Sequence, residues 1–464
     1  MSRVIEIFKE ISKIPRCSAK CEKIAEWLCE WAKEHGFSCK KDKALNVLID
    51  VPATEGYESK PVYALQGHMD MVCVKEDWSE HNFDSDPIEV IEEDGWLKAN
   101  GTTLGADDGV AIAIALAIAE DRTAKHPHLK LLFTSDEEIG LKGALALEEG
   151  FFEADRLINI DSETENKFVV GCAGGEDIEI FLPARKGEKR FDSAFRVAIS
   201  NLKGGHSGQE INKNRANAIK LMKEILKDAV YNLQLCEING GKARNAIPDR
   251  CEAVVLASSY DTLKSSVDRM LDKAKEMYPD EDVKVEIEEF EACQEPFEHE
   301  SFKKLIDLLD RLPHGVFEML DKKTPKTSNN LAVVKSEDDR FFIATNQRSL
   351  SESGLDEIGM LIEITAREFG AELKRHSRYP SWTPNYQSEL LKEAVETYEN
   401  LFGVKPEIEV IHAGLECGII SGKVKGIDMI SVGPDMEGVH TPKERVKIDS
   451  IERIYQFIRE LLQR

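Results

Sequence analysis

Short apolar runs alternate with amphipathic segments through the first third of the chain, and they predict strands and helices in turn. Residues 1–36 predict two helices separated by Pro15, with Ser18 as the N-cap of a helix over 19–35. Further strands are expected at 45–51, 62–66, 129–133 and 156–160, and further helices at 108–120 and 141–149. This alternation predicts an α/β fold, with a mixed, mostly parallel sheet sandwiched by helices.

The pattern changes after a charged connector at 186–190 and returns to alternation after a second connector at 375–384. Between them, strand and helix patterns follow in an α+β order, which fits either one enlarged domain or two related halves. Helices at 387–402 and 449–462, a strand at 406–411 and a loop at 412–418 complete the prediction. We therefore expect a lid domain, 187–378, inserted into a catalytic domain formed by 1–186 and 379–464.

Composition narrows the possible functions. A chain of 464 residues is too long for one compact core, which favours two domains. The formal net charge of −25 disfavours binding to nucleic acids or anionic membranes. The N-terminal segment is too polar for a secretion signal, and the longest apolar run, 110–119, is too short to span a membrane. A cytoplasmic protein is therefore expected.

Ten cysteines are scattered along the chain without the regular spacing of a disulfide framework. In a cytoplasmic protein, such cysteines are expected to be free thiols. Cys17 and Cys21 lie four residues apart without a second pair of ligands nearby, so they are interpreted as structural.

Two adjacent acids, Asp107 and Asp108, lie in a glycine-bracketed turn, GTTLGADDGV at 101–110, which opens a very apolar helix. One interpretation is that both are capping carboxylates, which the helix dipole favours. The other is that Asp107 bridges two divalent metal ions. The second interpretation gains support from metal-type side chains elsewhere in the chain.

Several of these side chains follow directly after apolar strands. His68, the pair Glu137 and Glu138, and Asp161 each lie just beyond a predicted strand, and His440 lies in a later loop. Because ligands bind at the carboxyl ends of strands in open α/β sheets, these groups are expected to converge. Taken singly, each also fits a solvated turn.

His68 and Asp70 are one residue apart, so in extended chain their side chains point the same way. A metal-bound imidazole usually donates its other N–H to a carboxylate, which suits Asp70 as the orienting partner of His68. Glu137 and Glu138 are adjacent and cannot both aim at one point from a regular strand. One could bind metal while the other activates water; the alternative is a solvated acidic turn.

The combined charge of these candidates supports a metal site more strongly than any one residue does. Asp107, Glu138 and Asp161 would repel one another, since two carboxylates about 4 Å apart cost roughly 4 kcal/mol at an effective dielectric of 20. Two divalent cations would offset this repulsion. Imidazole and carboxylate ligands together are typical of Zn²⁺, although Mn²⁺ or Co²⁺ could enter the same site.

A family resemblance emerges from these motifs. The segments GHMDMV, GTTLGADDGVA, TSDEEIG, NIDSE and GVHTP resemble those of the co-catalytic zinc peptidases that include carnosinase and carboxypeptidase G. With HAGLECG at 412–418, and no lysine after ADDG, the chain is most similar to the aminoacyl-histidine dipeptidases, also called cytosol non-specific dipeptidases or peptidase D. The match covers essentially the whole chain in order.

The resemblance implies a role for each candidate residue. It implies that His68 and Asp161 hold one zinc ion, that Glu138 and His440 hold the other, that Asp107 bridges them, that Asp70 orients His68, and that Glu137 is the general base. Asp108 is not assigned a role, because the bridging acid of the family matches the first acid of the pair.

The expected lid contributes further candidates by resemblance. His206, in GGHSG at 204–208, is expected to reach the reacting carbonyl, and Asn245, in GGKARNAIP at 240–248, to contact substrate. Arg348, in NQRSL at 346–350, is expected to hold the terminal carboxylate, which a guanidinium fork suits. Each also fits a polar residue in a glycine turn or at a strand end. Gly414 and Glu416 are expected to line the substrate pocket.

The resemblance implies a metallo-dipeptidase that hydrolyses Xaa-His and other unblocked dipeptides. Two alternatives stay open: an N-acyl amino acid deacylase with the same metals, and a non-catalytic, metal-stabilised binding protein. Relatives are often dimers through the lid, although the enlarged insert could mimic that contact within one chain. The sequence contains no serine-hydrolase elbow, P-loop, dinucleotide fingerprint or HExxH helix.

Overall fold

In a computed structural model of the chain, two compact units are described through residues 2–291, 293 and 295–464. The first unit comprises the residues up to Cys172, together with Trp382–Val410 and Leu415–Arg464. The second comprises Ala173–Ser381 and Ile411–Gly414. The expected boundaries at 186 and 378 both fall inside this second unit. The strand at 174–183 pairs with the strands at 340–349 and 372–379, so all three belong to the same unit.

The first unit contains most of the alternating elements. Its helices are α1 (Arg3–Ile11), α2 (Glu22–Glu34), α3 (Ala106–Glu120), α4 (Lys142–Ala146), α10 (Glu389–Phe402), α11 (Glu416–Lys423) and α12 (Ile448–Leu461). Its strands are β1 (Ser38–Lys41), β2 (Val47–Val51), β3 (Tyr63–His68), β4 (Val90–Glu93), β5 (Trp96–Ala99), β6 (Leu129–Thr134), β7 (Arg156–Asn159), β8 (Lys167–Cys172), β18 (Glu407–Ile411), β19 (Asp428–Ser431), β20 (Met436–Glu437) and β21 (Arg445–Lys447).

The main sheet of the first unit has the strand order β1-β2-β6-β3-β7-β19-β8-β18. Its central strands run parallel: β3 pairs with β6 on one side and with β7 on the other, and β7 pairs with β19. Strands β2 and β8 join this centre in antiparallel pairs. Every residue of β3 is buried, as expected for a strand covered on both faces. The predicted α/β fold is confirmed.

Helix α3 is apolar all round and almost entirely buried, which is why its sequence shows no amphipathic stripe. It packs against β3 and against α1, whose own apolar side chains are buried. A small separate sheet, β20-β21-β5-β4, completes the first unit. The helix that carries the two adjacent acids is therefore anchored in the centre of this core.

The second unit is built on one continuous antiparallel sheet. Its strands are β9 (Gly174–Pro183), β10 (Ser193–Ser200), β11 (Leu233–Gly240), β12 (Cys251–Ala257), β13 (Lys284–Glu289), β14 (Gly315–Met319), β15 (Pro325–Ser336), β16 (Arg340–Ser349) and β17 (Glu372–Tyr379). Its helices are α5 (Ser207–Glu210), α6 (Ala218–Asp228), α7 (Tyr260–Met277), α8 (His299–Arg311) and α9 (Glu352–Glu368). The strand order is β13-β10-β12-β11-β15-β16-β9-β17, with β14 paired to β15.

Three local predictions are wrong. Ser18 is not a helix N-cap: α2 begins four residues later, and the Ser18 hydroxyl donates to Asp70 instead. The helix expected at 141–149 is only the short α4, because Leu147 leaves the helical conformation. The loop expected at 412–418 ends early, since α11 begins at Glu416.

The expectation that all ten cysteines are free is also wrong. The structure contains disulfides Cys17–Cys73, Cys29–Cys39 and Cys236–Cys293, with Cα–Cα distances of 5.7, 5.4 and 6.0 Å. The partners of two of these bridges lie 56 and 57 residues apart in the sequence, so spacing alone could not reveal them. The remaining cysteines, at 21, 172, 251 and 417, are buried.

None of the helices in the described part of the chain combines the length with the apolar character that a membrane span requires.

Candidate metal centre

The centre is assembled at the carboxyl edge of three neighbouring parallel strands. His68 is the last residue of β3, the pair Glu137 and Glu138 follows β6, and Asp161 follows β7. Because β3 lies between β6 and β7, the three strand ends are adjacent in the sheet. The expectation that these strands end at one edge is confirmed, and the physical reason is their parallel pairing.

Asp107 lies where the turn 101–106 meets α3, and its two carboxylate oxygens face different imidazoles. Oδ1 lies 2.9 Å from Nε2 of His68, and Oδ2 lies 3.1 Å from Nε2 of His440. The same nitrogen of His440 lies 2.8 Å from Oε1 of Glu138, while Nε2 of His68 lies 3.6 Å from Oδ1 of Asp161. Asp107 therefore stands between two histidine–carboxylate pairs.

The donor atoms of this cluster form three overlapping sets. The sets are His68, Asp107 and Asp161; Asp107, Glu138 and His440; and His68, Glu137 and Glu138. Within each set, one donor atom from every residue lies within 4.8 Å of the others, which is close enough to hold a metal ion. Imidazole nitrogens and carboxylate oxygens are the donors that Zn²⁺ and related transition metals accept. The residues thus fit a metal centre.

The close contacts between imidazoles and carboxylates shift the pKa values of several residues in the cluster. Burial lowers the pKa of His68, but hydrogen bonds to Asp107, Asp161 and Asp70 outweigh burial and raise that pKa well above its ordinary value. Hydrogen bonds to carboxylates raise the pKa of His440 to about 11. Burial raises the pKa of Asp161 to about 6. The side chains of Asp107, Asp161 and Glu138 are close together and nearly buried, and bound cations would offset the repulsion between them.

Asp108 belongs to none of these donor sets. Its Oδ2 accepts the main-chain N–H of His68 at 3.1 Å, and its side chain is fully buried. It packs so closely below β3 that an added Cβ on Gly67 would lie 2.4 Å from Oδ2. The peptide bond between Asp107 and Asp108 is cis, and both residues have non-helical backbone angles. The two adjacent acids make different contacts, since Asp107 faces His68 and His440 whereas Asp108 accepts from the main chain of His68.

Asp70 contacts both His68 and the turn after β6 that carries Glu137 and Glu138. Nδ1 of His68 lies 3.0 Å from the main-chain oxygen of Asp70 and 3.5 Å from its carboxylate Oδ1. The same carboxylate accepts the main-chain N–H groups of Glu137 and Glu138, at 3.0 and 3.3 Å. The Ser18 hydroxyl donates to it at 2.7 Å. Asp70 thus connects the end of β3 to the turn after β6.

Glu416, expected to line a substrate pocket, is fully buried in the first unit. Gln66 and Thr134 both donate to its Oε2, at 2.5 and 2.6 Å. Burial raises the pKa of Glu416 to about 7. Its carboxylate is therefore committed to side chains of β3 and β6 rather than to an open surface.

In the second unit, His206 and Asn245 lie in neighbouring chain segments. His206 forms a bridge with Ala246, and the main-chain oxygen of Asn245 accepts the N–H of Ser207 at 2.7 Å. His206 is the residue just before α5, and the side chain of Asn245 is exposed. The structure brings these two predicted residues together.

Arg348 lies on β16 and is 5% exposed. Its Nη1 donates to the Tyr379 hydroxyl at 3.0 Å, and its Nε donates to the Ser207 hydroxyl at 3.4 Å. Gly414 lies beside the same tyrosine, since a Cβ added there would lie 2.9 Å from a Tyr379 ring carbon. Tyr379 thus connects Arg348 with Gly414.

Local sequence pattern does not mark Ser18 or Tyr379 as contributors to a site. Ser18 fits a helix cap, and Tyr379 lies within the connector at 375–384. Serine and tyrosine are common on protein surfaces, so neither residue type points to a site by itself. Only their contacts with Asp70 and Arg348 distinguish them.

Comparison with known proteins gives consistent results. The model of peptidase family M20/M25/M40 matches residues 64–464. The cytosol non-specific dipeptidase of Escherichia coli is 37% identical over 467 aligned positions, which cover 98% of this chain and 96% of that protein. The crystal structure of an aminoacylhistidine dipeptidase from Vibrio alginolyticus superposes with a TM-score of 0.88 at 35% identity, covering 99% of this chain and 96% of that one. A Staphylococcus aureus tripeptidase, at 18% identity and a TM-score of 0.61, shares the fold over 99% of this chain and 97% of its own.

Proposed function

The chain belongs to peptidase family M20/M25/M40, and from this membership we propose that it is a metal-dependent dipeptidase, a hydrolase that cleaves unblocked dipeptides, including Xaa-His. One observation carries the proposal. The two oxygens of Asp107 face His68 and His440, the arrangement needed for a carboxylate that bridges two metal ions. Dipeptides ending in histidine are proposed because the Vibrio relative is an aminoacylhistidine dipeptidase.

The proposed ligand sets follow the two halves of the cluster. His68 and Asp161 would hold one ion, Glu138 and His440 the other, with Asp107 shared. Zn²⁺ suits these donors, and Mn²⁺ or Co²⁺ could replace it. When bound, such ions supply a water whose pKa falls from 15.7 to about 7, and they neutralise charge at the reacting carbonyl.

Glu137 is proposed as the general base. It takes the proton of the attacking water and returns it to the amine nitrogen of the leaving amino acid. The Asp70 carboxylate accepts the main-chain N–H of Glu137, which holds the backbone of this residue in place. Burial raises the pKa of Glu137 well above its ordinary value.

The resemblance assigns the second unit a role in substrate binding. His206 is proposed to donate to the developing oxyanion, and losing one such donor typically costs roughly 10²–10³-fold in rate. Asn245 and Gly414 are proposed to contact substrate. Arg348 is proposed to bind its terminal carboxylate, which the guanidinium fork matches.

Replacing Arg348 by glutamine is expected to raise the KM for dipeptides by about 10–100-fold, because hydrogen bonds to a charged group contribute about 1.5–3 kcal/mol and each 1.4 kcal/mol is tenfold. A dipeptide amide lacks the carboxylate, so its kcat/KM should change little. Tyr379→Phe is the matched control: it removes only the hydroxyl that accepts from Arg348 and should have a smaller effect. Equal losses for the acid and the amide would contradict the assignment.

The decisive assay uses protein stripped of metal and refilled with Zn²⁺, Mn²⁺ or Co²⁺. A library of dipeptides that includes Xaa-His substrates is compared with N-acetyl amino acids. We expect metal-dependent hydrolysis of the free dipeptides. Preference for the acetyl amino acids would instead identify a deacylase, and activity toward neither class would support a binding protein.

Two further proposals concern the setting of the enzyme. A cytosolic location is proposed because the E. coli relative is a cytosol dipeptidase, although the three disulfides are unusual for that compartment, where thiols are kept reduced. A homodimer formed through the second unit, as implied by the family resemblance, is a prediction that sedimentation velocity would test.

A further inference from the structure

A buried arginine lies against the main chain of the metal centre. Arg16, in the loop between α1 and α2, is 2% exposed. Its Nη1 donates to the main-chain oxygens of Met69 and Asp70, at 2.9 and 3.2 Å, and its Nη2 donates to the main-chain oxygen of Gly105. One guanidinium thereby connects the segment after β3 with the turn before α3.

The glycines that flank the two adjacent acids make room for this guanidinium. A Cβ added at Gly105 would lie 2.5 Å from Nη2 of Arg16, and one added at Gly109 would lie 2.6 Å from the same atom. Gly105 also has a φ of +72°, which disfavours other residues. The glycine-bracketed pattern GADDG therefore reflects the approach of Arg16 as well as the shape of the turn.

Glu444 contacts the same turn with the opposite charge. It is 3% exposed, and its two oxygens accept four consecutive main-chain N–H groups. These donors are Leu104 at 2.8 Å, Gly105 at 3.1 Å, Ala106 at 2.8 Å and Asp107 at 3.3 Å. A single carboxylate thus holds the main chain from residue 104 to the proposed bridging residue.

We propose that Arg16 and Glu444 are positioning residues for Asp107, which fix the turn 104–107 so that its carboxylate is already placed to bind both cations. This inference rests on the proposed metal-dependent function of the centre. Neither side chain is proposed to contact the reacting atoms; both act through the main chain. Because partners that orient metal ligands typically contribute about 10–100-fold to metal affinity, the loss of either residue should weaken metal binding by that factor.

The test is a Co²⁺ titration of metal-free protein, followed by the visible absorption of the bound ion. The parent should bind two Co²⁺ ions, and Arg16→Met and Glu444→Gln should each weaken binding by about 10–100-fold and alter the spectrum. Arg16→Lys keeps the charge but loses the planar fork that reaches two segments, so it should give an intermediate loss.

Arg156→Met is the matched control. Arg156 donates to the Tyr63 hydroxyl at 2.7 Å and pairs with Glu393, at the start of β3 rather than at its metal-side end. This variant should lower the melting temperature while leaving Co²⁺ affinity and spectrum unchanged. An equal loss of affinity in the control would overturn the inference, since the effect would then be general destabilisation.

The remaining outcomes separate this inference from the proposed function. If Arg16→Met does not fold, Arg16→Lys and Glu444→Gln decide the question by the same titration. If folded variants bind Co²⁺ with the affinity and spectrum of the parent, the inference is wrong while the proposed function stands. If the parent itself binds no Co²⁺, the proposed function fails first.

Discussion

Asp107→Asn is expected to reduce the bound metal from two ions per chain to one or none, with activity lost in proportion. In the proposed centre, this carboxylate is the only ligand shared by both ions. Removing it should therefore weaken metal binding by more than the 10–100-fold that is typical when an orienting residue is lost. The geometric basis is the pair of contacts from its two oxygens to His68 and His440. Elemental analysis after dialysis, together with calorimetric metal titration, measures the effect.

The matched control for this prediction is the neighbouring residue. Asp108→Asn removes a carboxylate of the same kind from the next position, but this side chain accepts from the main chain of His68 and belongs to none of the donor sets. Asparagine can still accept that hydrogen bond, so metal content should stay at two ions. Loss of metal from Asp108→Asn, with both ions retained in Asp107→Asn, would reverse the assignment of the two acids.

Glu137→Gln is expected to lower kcat for dipeptides by about 10²–10⁴-fold while both metal ions stay bound, because general acid–base catalysis is typically worth that factor. The donor atoms of Glu137 lie close enough to those of His68 and Glu138 to join a metal site. Retention of both ions in Glu137→Gln would therefore show that this carboxylate is not a required ligand. Steady-state kinetics and elemental analysis on the same preparation test both parts.

Asp136→Asn controls for the loss of one negative charge in the same turn. Its carboxylate accepts the main-chain N–H of Ala19 at 2.6 Å and takes no part in the proposed chemistry. Asparagine tolerates the left-handed φ of +53° at this position, so the turn should keep its shape. We expect near-parent kcat from this control. Near-parent kcat from Glu137→Gln would remove the general-base assignment, and loss of its metal would make Glu137 a ligand.

Several structural features followed from local patterns in the sequence. The apolar runs identified β3, β6 and β7, because strands covered on both faces are mostly apolar. The helix pattern identified α3 for a similar reason, although Asp107 and Asp108 depart from helical geometry at its start. Where burial extends over consecutive residues, the sequence carries the information directly.

Other predictions needed contacts that local pattern does not contain. The helix expected at 141–149 shortened to α4, and three cysteine pairs formed across 10 to 57 residues. Cysteine pairing depends on which strands and loops become neighbours. That information lies in the packing of distant segments rather than in residue spacing.

The sequence by itself determined which kinds of donor stand at the ends of the strands, since each donor directly follows a run whose burial is locally encoded. Only the tertiary structure showed that Asp108 accepts the main-chain N–H of His68, and that Arg16 and Glu444 hold the turn before Asp107. Those two residues lie 428 positions apart, and neither belongs to a periodic pattern. A buried charge of this kind can be identified only once the chain has brought its partners together, because its stability depends on them rather than on its neighbours in sequence.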